Sequence, residues 1–419
     1  MVGAGTLGML AATSVPDSPP RVPADVWPMY QFASDHNAVF AGENAAQWNI
    51  DLGAKINGGL ALVGSTLYAD SFNHKIYAID ANSGKIQWTG SANNILMSTP
   101  VVAHSRVLVG SGDNDVLTDS GMTTVWGRPE GDDVMAFDTA RGSVAWTYHT
   151  AGEDMPSPAI VGNRAIFSNG DMHAYALDLR NGKQLWRVAI PGITTMASAT
   201  ADGKRVFLVA TLGTDFNYND LRSHLLALDL KTGRTIWSVP YGNSDCSPTV
   251  GGNLVYLEGT RYIHYVPSDS SAWMGTNTVY AFDARSGALK WSFESNAGYF
   301  TSVASNERAI AGTYVDGALY QALPVANMVA AFDAQSGRVL WRFPTSAPVK
   351  MSPVVVDGVV IFGDTAGMLY AVERKSGQLR HVESYRSSFS TSPPIVAGST
   401  IYIANGTQVM AIPLRLMHV

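Results

Sequence analysis

The chain has 419 residues, 46% of them apolar and only 15% charged, with a formal net charge of −6. That apolar share supports a large core and excludes a disordered chain, and the lack of any basic block argues against nucleic acid as a partner. A single cysteine, Cys246, excludes a disulfide framework, a cysteine-based zinc site and a c-type haem attachment.

Residues 1–26 form a unit apart. Met1–Ser14 is small and apolar, and Pro16, Pro19, Pro20 and Pro23 follow it. The stretch is too short to span a bilayer, which takes about 20 apolar residues, so no transmembrane segment is expected. It has the apolar core and small-residue end of a secretory signal without the basic start, and a disordered tail is the alternative. The first reading predicts a periplasmic or extracellular protein. Gly3, Gly5 and Gly8 match G-x-G-x-x-G, but a dinucleotide site needs a strand before and a helix after, and neither is indicated.

From residue 27 onward a twelve-residue phrase recurs. It begins as YAIDANSGKIQW (Tyr77–Trp88) and runs through Met135–Trp146, Tyr175–Trp186, Leu226–Trp237, Tyr280–Trp291 and Ala330–Trp341 to the degraded YAVERKSGQLRH (Tyr370–His381). Each copy predicts a strand, a tight turn and a second strand. Alternation gives the first strand a buried face, and an acid such as Asp80 can accept the N–H groups of the turn. Gly84 and its six counterparts suit a backbone position with φ > 0, and the closing tryptophan suits the gap between neighbouring sheets. Upstream of five copies, or beyond the last, Thr99-Pro100, Ser157-Pro158, Ser247-Pro248, Ser352-Pro353 and Ser392-Pro393 introduce short apolar runs. These add an inner strand and a second strand, and four strands per repeat make one propeller blade.

The sequence therefore predicts an all-β fold, an eight-bladed β-propeller of four-stranded antiparallel blades filling one domain over residues 27–419. The last unit, Ser392–Ile412, supplies three strands only. Its missing outer strand is available at Ala38–Gly53, where Trp48 lies 40 residues before Trp88. The N-terminal strand is thus predicted to close the ring, burying edges that would otherwise invite aggregation.

In such a ring the lead into each first strand and the loop between second and third strands open on one face. Four long loops are predicted there: Ser111–Asp133, Thr211–Ser223, Gly259–Asn277 and Thr313–Asn327, against the short Asp364–Gly367. They gather Trp126, Phe216, Tyr218, Arg261, Tyr262, His264, Tyr265, Trp273 and Tyr314, and they offer a surface through which two copies could pair. The lead-ins direct Met97, Glu153-Asp154-Met155, Met196, Asp245-Cys246, Tyr299-Phe300, Lys350-Met351 and Phe389 towards the channel. Charges such as Asp245 and Lys350 are costly there unless paired or used. No zinc motif, P-loop or nucleophile elbow is found. Asp113, Asn114, Asp115 and Asp119 lack the full calcium-loop pattern and read as a solvated acidic loop.

The phrase A-x-D-x-x-[ST]-G-x-x-x-W, the Ser-Pro inner strands and the opening Trp27–Phe40 resemble the pyrroloquinoline-quinone (PQQ) repeat superfamily over roughly residues 27 to 415. This superfold hosts enzymes, scaffolds and binders. Its PQQ-dependent dehydrogenases typically show a vicinal disulfide over the quinone and a calcium ion with a catalytic aspartate. One cysteine cannot form that disulfide, and no matching ligand cluster is found, so no cofactor or metal is expected and PQQ with calcium is the less favoured alternative. Outer-membrane-assembly scaffolds of this type usually carry a lipid-anchoring cysteine near the N-terminus, and Cys246 is far inside.

The third relatives are the cofactor-free tetrathionate hydrolases of acid-living sulfur oxidisers. Gly152–Asp178 resembles their third blade, and a thin charge content suits acid, where many protonated bases would repel one another. That resemblance implies a small dianionic substrate held at both sulfonate ends, with Arg261 and Lys350 as the nearest cations and Tyr262, Tyr299 and Asp154 as further lining. It also implies a channel aspartate orienting water, which points to Asp245, while Cys246 beside it is the alternative nucleophile.

Overall fold

The computed structural model describes residues 26–27, 39–40, 46–112, 132–154, 156–211, 223–242, 246–265, 273–296, 298–300, 311–389 and 391–417. Eight antiparallel sheets follow one another, each built on four successive strands. Blade one comprises Leu60–Val63, Thr66–Ser71, Lys75–Asp80 and Ile86–Ser91, and the middle strands carry the core while the outer strand is largely exposed. Blade eight takes its outer strand from the N-terminal side: Trp48–Asp51 pairs antiparallel with Gln408–Pro413, Trp48 opposite Ala411. The predicted closure is present.

The phrase folds as a device for joining blades. Each tryptophan lies opposite an alanine of its own sheet, as Trp88 does opposite Ala78 and Trp146 opposite Ala136. The small partner and the bulge beside it turn the ring out of the sheet. The indole N–H of Trp48, Trp88, Trp146, Trp186, Trp237, Trp291 and Trp341 then donates to a backbone carbonyl of the next blade at 2.8–3.2 Å. Its landing point is the phrase glycine of that blade. Gly84, Gly142, Gly182, Gly233, Gly287, Gly337 and Gly377 all have φ between +68° and +74°, and a Cβ on any of them would stand 2.4–2.9 Å from the incoming ring. Blade eight has no such turn, because its third and outer strands are not consecutive in the chain. The phrase degrades to His381 at the one position whose ring would have nothing to land on.

An inner belt joins the same blades near the axis. Gly59 N–H donates to Thr99 Oγ1 (2.7 Å), Thr99 N–H to Ser157 Oγ (2.7 Å), Ser157 N–H to Ser198 Oγ (3.0 Å) and Ser198 N–H to Ser247 Oγ (2.8 Å). The Ser/Thr-Pro pairs are thereby explained: the hydroxyl accepts from the preceding blade, and proline brings no N–H that would need a partner.

Three features depart from expectation. Gly259–Asn277 is a continuation of two strands, Leu254–Tyr265 and Trp273–Asp283, with Gly298–Phe300 added to the second. Thr313–Asn327 is likewise no loop. It holds the first and second strands of blade six, Thr313–Val315 and Ala318–Leu323, joined at Asp316-Gly317, then a 3-10 turn. Asp-Gly with φ of +47° and +75° forms a two-residue hairpin bend. Thirdly, Val26–Trp27 adds antiparallel to the inner strand of blade one, and Val39–Phe40 adds parallel to that of blade seven. The lead-in thus occupies inner edges facing the channel. The interiors of Ser111–Asp133 and Thr211–Ser223, with Trp126, Phe216, Tyr218 and the acids 113–119, lie outside the described residues, as do Met1–Ser14 and Met155.

If ring-on-glycine contact joins the blades, Gly182→Ala loses about 3 kcal/mol through overpacking plus backbone strain. Gly64→Ala, at a bend with φ of +57° and open space around it, loses about 1 kcal/mol. Urea denaturation of the two variants measures the difference, and equal losses would contradict the contact.

Candidate functional site

Strand order alone places the lead-ins and the second-to-third connections on one face. At that mouth the repeat supplies its own controls. By register with the third strands, the same point of the second strand is Asp70, Gly110, Ser168, Val209, Glu258, Ala322, Gly363 and Ala404 in blades one to eight. Two of the eight are acids, and both are fully buried. The fold does not need a carboxyl there, and burying one is costly.

Glu258 accepts a 2.6 Å hydrogen bond from Asn277 Nδ2, and Asn277 Oδ1 accepts the N–H of Ala326 from blade six at 3.2 Å. Cys246 lies against the same strand: the Glu258 N–H donates to its Sγ at 3.4 Å. In blade two the matching N–H of Gly110 donates to Ser98 Oγ (2.9 Å), and in blade seven that of Gly363 donates to Met351 Sδ (3.1 Å). The thiol therefore fills a slot that other blades fill with a hydroxyl or a thioether. Asp70 sits beside Ser98 Oγ at 3.4 Å, and a Cβ on Gly58 would stand 2.8 Å from its Oδ1. Burial holds its carboxyl well above the usual range.

The remaining expected residues fall as follows. Asp245 lies outside the described residues. Arg261 lies along blade five, with Nη1 3.0 Å from Glu294 Oε1 on the outer strand. Tyr262 follows it on the extended strand, and Tyr299 pairs by backbone with Met274 of the same sheet. Cys246, Arg261, Tyr262 and Tyr299 thus share blade five. Lys350 is half-buried at the lead-in to blade seven. Asp154, at the lead-in to blade three, is 1% exposed and accepts from Thr150 Oγ1 (2.5 Å) and Asn169 Nδ2 (3.0 Å). Burial pushes its carboxyl well above the usual range, these two hydrogen bonds opposing the shift and the charges of Asp132 and Asp171 adding to it.

Among the described residues no group of three or more His, Cys, Asp or Glu is arranged to hold a metal ion, and the lone Cys246 cannot supply a vicinal disulfide. The described residues therefore do not fit a calcium–quinone site of the dehydrogenase kind. Also among them, no helix is long and apolar enough to cross a membrane.

Fold and mouth together define an eight-bladed propeller of the PQQ-repeat class. The chain belongs to the family described as outer membrane protein assembly factor BamB, whose model matches residues 37–212, 196–320 and 275–415. It is similar to the tetrathionate hydrolase of Acidithiobacillus ferrooxidans, 24% identical over 383 residues, which covers 85% of this chain and 72% of that one. It is also similar to the assembly factor BamB of Yersinia pestis, 23% identical over 306 residues, covering 59% and 74% respectively. Among solved structures, quinohemoprotein alcohol dehydrogenase from Comamonas testosteroni has a TM-score of 0.68 at 13% identity, covering 93% of this chain and 80% of that one. BamB from Moraxella catarrhalis has 0.63 at 17%, covering 88% and 99%. At such identities these structures bear on the fold alone.

A raised carboxyl has a defined sign in stability. The fold keeps the Asp154 proton to higher pH than the unfolded chain does, so its contribution is complete in acid, below the ordinary carboxylate range. It is lost as pH rises through the folded-state pKa. Wild-type Tm should accordingly fall relative to that of Asp154→Asn between acid and neutral pH. A gap that stays constant with pH would contradict the buried, protonated assignment.

Proposed function

We propose that this chain is an exported hydrolase of tetrathionate or a related polythionate, acting without a cofactor at the mouth of the propeller. The observation that carries this reading is the similarity to a tetrathionate hydrolase along 85% of the chain, supported by a second such enzyme, from Acidianus ambivalens, 28% identical over 221 residues. Blade five offers the chemistry. Arg261 is a cation whose only printed anchor is an exposed-side pair with Glu294, and charge-assisted donors suit a sulfonate end. Lys350 would serve the other end.

In the proposed step, Asp245 takes a proton from water while the water oxygen bonds to one of the two central sulfurs. The central S–S bond breaks, and thiosulfate leaves with its electron pair. The other half departs as HO–S–SO3−, so that tetrathionate and water give thiosulfate, this sulfenyl acid anion and one proton. A general base of this kind contributes about 100-fold or more.

The family match favours a second reading, a non-catalytic assembly scaffold. One assay separates the two. The hydrolase reading predicts thiosulfate release from tetrathionate by the purified chain in acid, with Asp245→Asn lowering kcat about 100-fold at unchanged Tm. Cys246→Ser should keep the fold, because Ser98 already fills the equivalent slot, so its activity reads the thiol's chemistry alone. No thiosulfate at any pH would overturn the hydrolase reading, and full activity in Asp245→Asn would overturn the residue assignment.

A further inference from the structure

On the face opposite the mouth, every blade bends from its first strand to its second, and seven blades place a glycine in the bend. From Gly64 in blade one to Gly398 in blade eight these glycines have φ between +53° and +89°. Blade two alone has none. His104 (φ +47°) and Ser105 (φ +61°) both adopt the left-handed region, which glycine enters without strain and L side chains do not. Space does not dictate the choice, since Gly64 and Gly162 have open surroundings. Where a repeat offers an unstrained solution seven times, strain kept at the eighth position points to a ligand site.

This bend borders a cleft of about 620 Å3 between blades two and three, lined by His104, Ser105, Arg106, Gly162, Asn163 and Arg180. Arg106 Nη1 donates to Ser105 O (3.1 Å) and Asp138 Oδ2 (3.3 Å), while its buried Nε finds no acceptor among the described residues. Arg180 Nε and Nη2 rest on Asp178 at 3.3 and 3.0 Å, and Asn163 Nδ2 donates to the same carboxylate at 2.6 Å. Neither Asp138 nor Asp178 is part of the lining. The carboxylates therefore fix two guanidinium planes from outside the cleft and leave N–H donors facing it. Two held guanidiniums with a hydroxyl, an amide and an imidazole form a donor set for a planar or tetrahedral oxyanion.

We propose that the cleft between blades two and three binds a compact oxyanion of the sulfate or phosphate class, held by Arg106 and Arg180, with the His104-Ser105 bend closing one side. This site is separate from the mouth and does not depend on what the mouth does.

Calorimetric titration of the full chain with sodium sulfate, and separately with sodium phosphate, against sodium chloride at equal ionic strength, tests it. Saturable one-to-one binding of at least one anion is expected, and the comparison of the two arms tells which is preferred. Arg180→Gln, at an exposed position, should weaken binding about tenfold by removing charge-assisted donors. His104→Gly should raise Tm by relieving the bend while weakening binding several-fold. Absence of saturable binding in both arms overturns the site. Wild-type affinity in Arg180→Gln shows an adventitious ion only and also overturns it. A His104→Gly variant that is more stable yet binds as wild type overturns the role of the strained bend.

Discussion

The contact on which this structure depends is an indole ring of one blade laid on a bare glycine of the next. It combines a large apolar surface, a directed N–H to a backbone carbonyl and a backbone conformation that only glycine holds without strain. Because each ring needs a turn in the following sheet, the contact orders blades as well as joining them. Its consequences reach both ends of the chain. Trp48 joins blade eight to blade one through the carbonyl of Ala81, and His381 stands where no turn follows. The Thr99, Ser157, Ser198 and Ser247 belt repeats the same joining nearer the axis.

With joining assigned to the waist and the belt, the rim is free to vary. The variation is visible against the repeat itself. Glu258 and Asp70 occupy a point where other blades have glycine, alanine, serine or valine, and blade five alone extends its central strands into a long hairpin reinforced by Gly298–Phe300. Function in a propeller belongs to such departures, because the common scaffold is shared by proteins of different activity. The same comparison, applied to the opposite face, singles out His104-Ser105.

Much of this was legible in the residues. Repeated glycines, acids and tryptophans each have a local physical meaning, and together they determine blade count and closure. The failures have equally local causes. The bend at Asp316-Gly317 was absorbed into a long loop because the short first strand of blade six, Thr313–Val315, lies close to the phrase that follows. In Gly259–Asn277, polar and aromatic residues suggested a loop where strand pairing simply continues, with register intact from Gly259 opposite Thr278 to Arg261 opposite Thr276. Glu258 and Asp70 were missed because one acid in an apolar strand looks like ordinary alternation, and only the register shows that it points inward. The slot shared by Ser98, Cys246 and Met351 was invisible because its constant partner is a backbone N–H.

The account stands or falls on whether the strand carrying Trp48 belongs to the ring as fully as any outer strand made in sequence. Hydrogen exchange resolved to peptides measures this directly. Amides of Trp48–Asp51 paired with Gln408–Pro413 should exchange with the same protection, and through the same cooperative opening, as the outer strand Val144–His149. Exchange of that strand on the timescale of a frayed terminus, while the other blades stay protected, would contradict a closed ring.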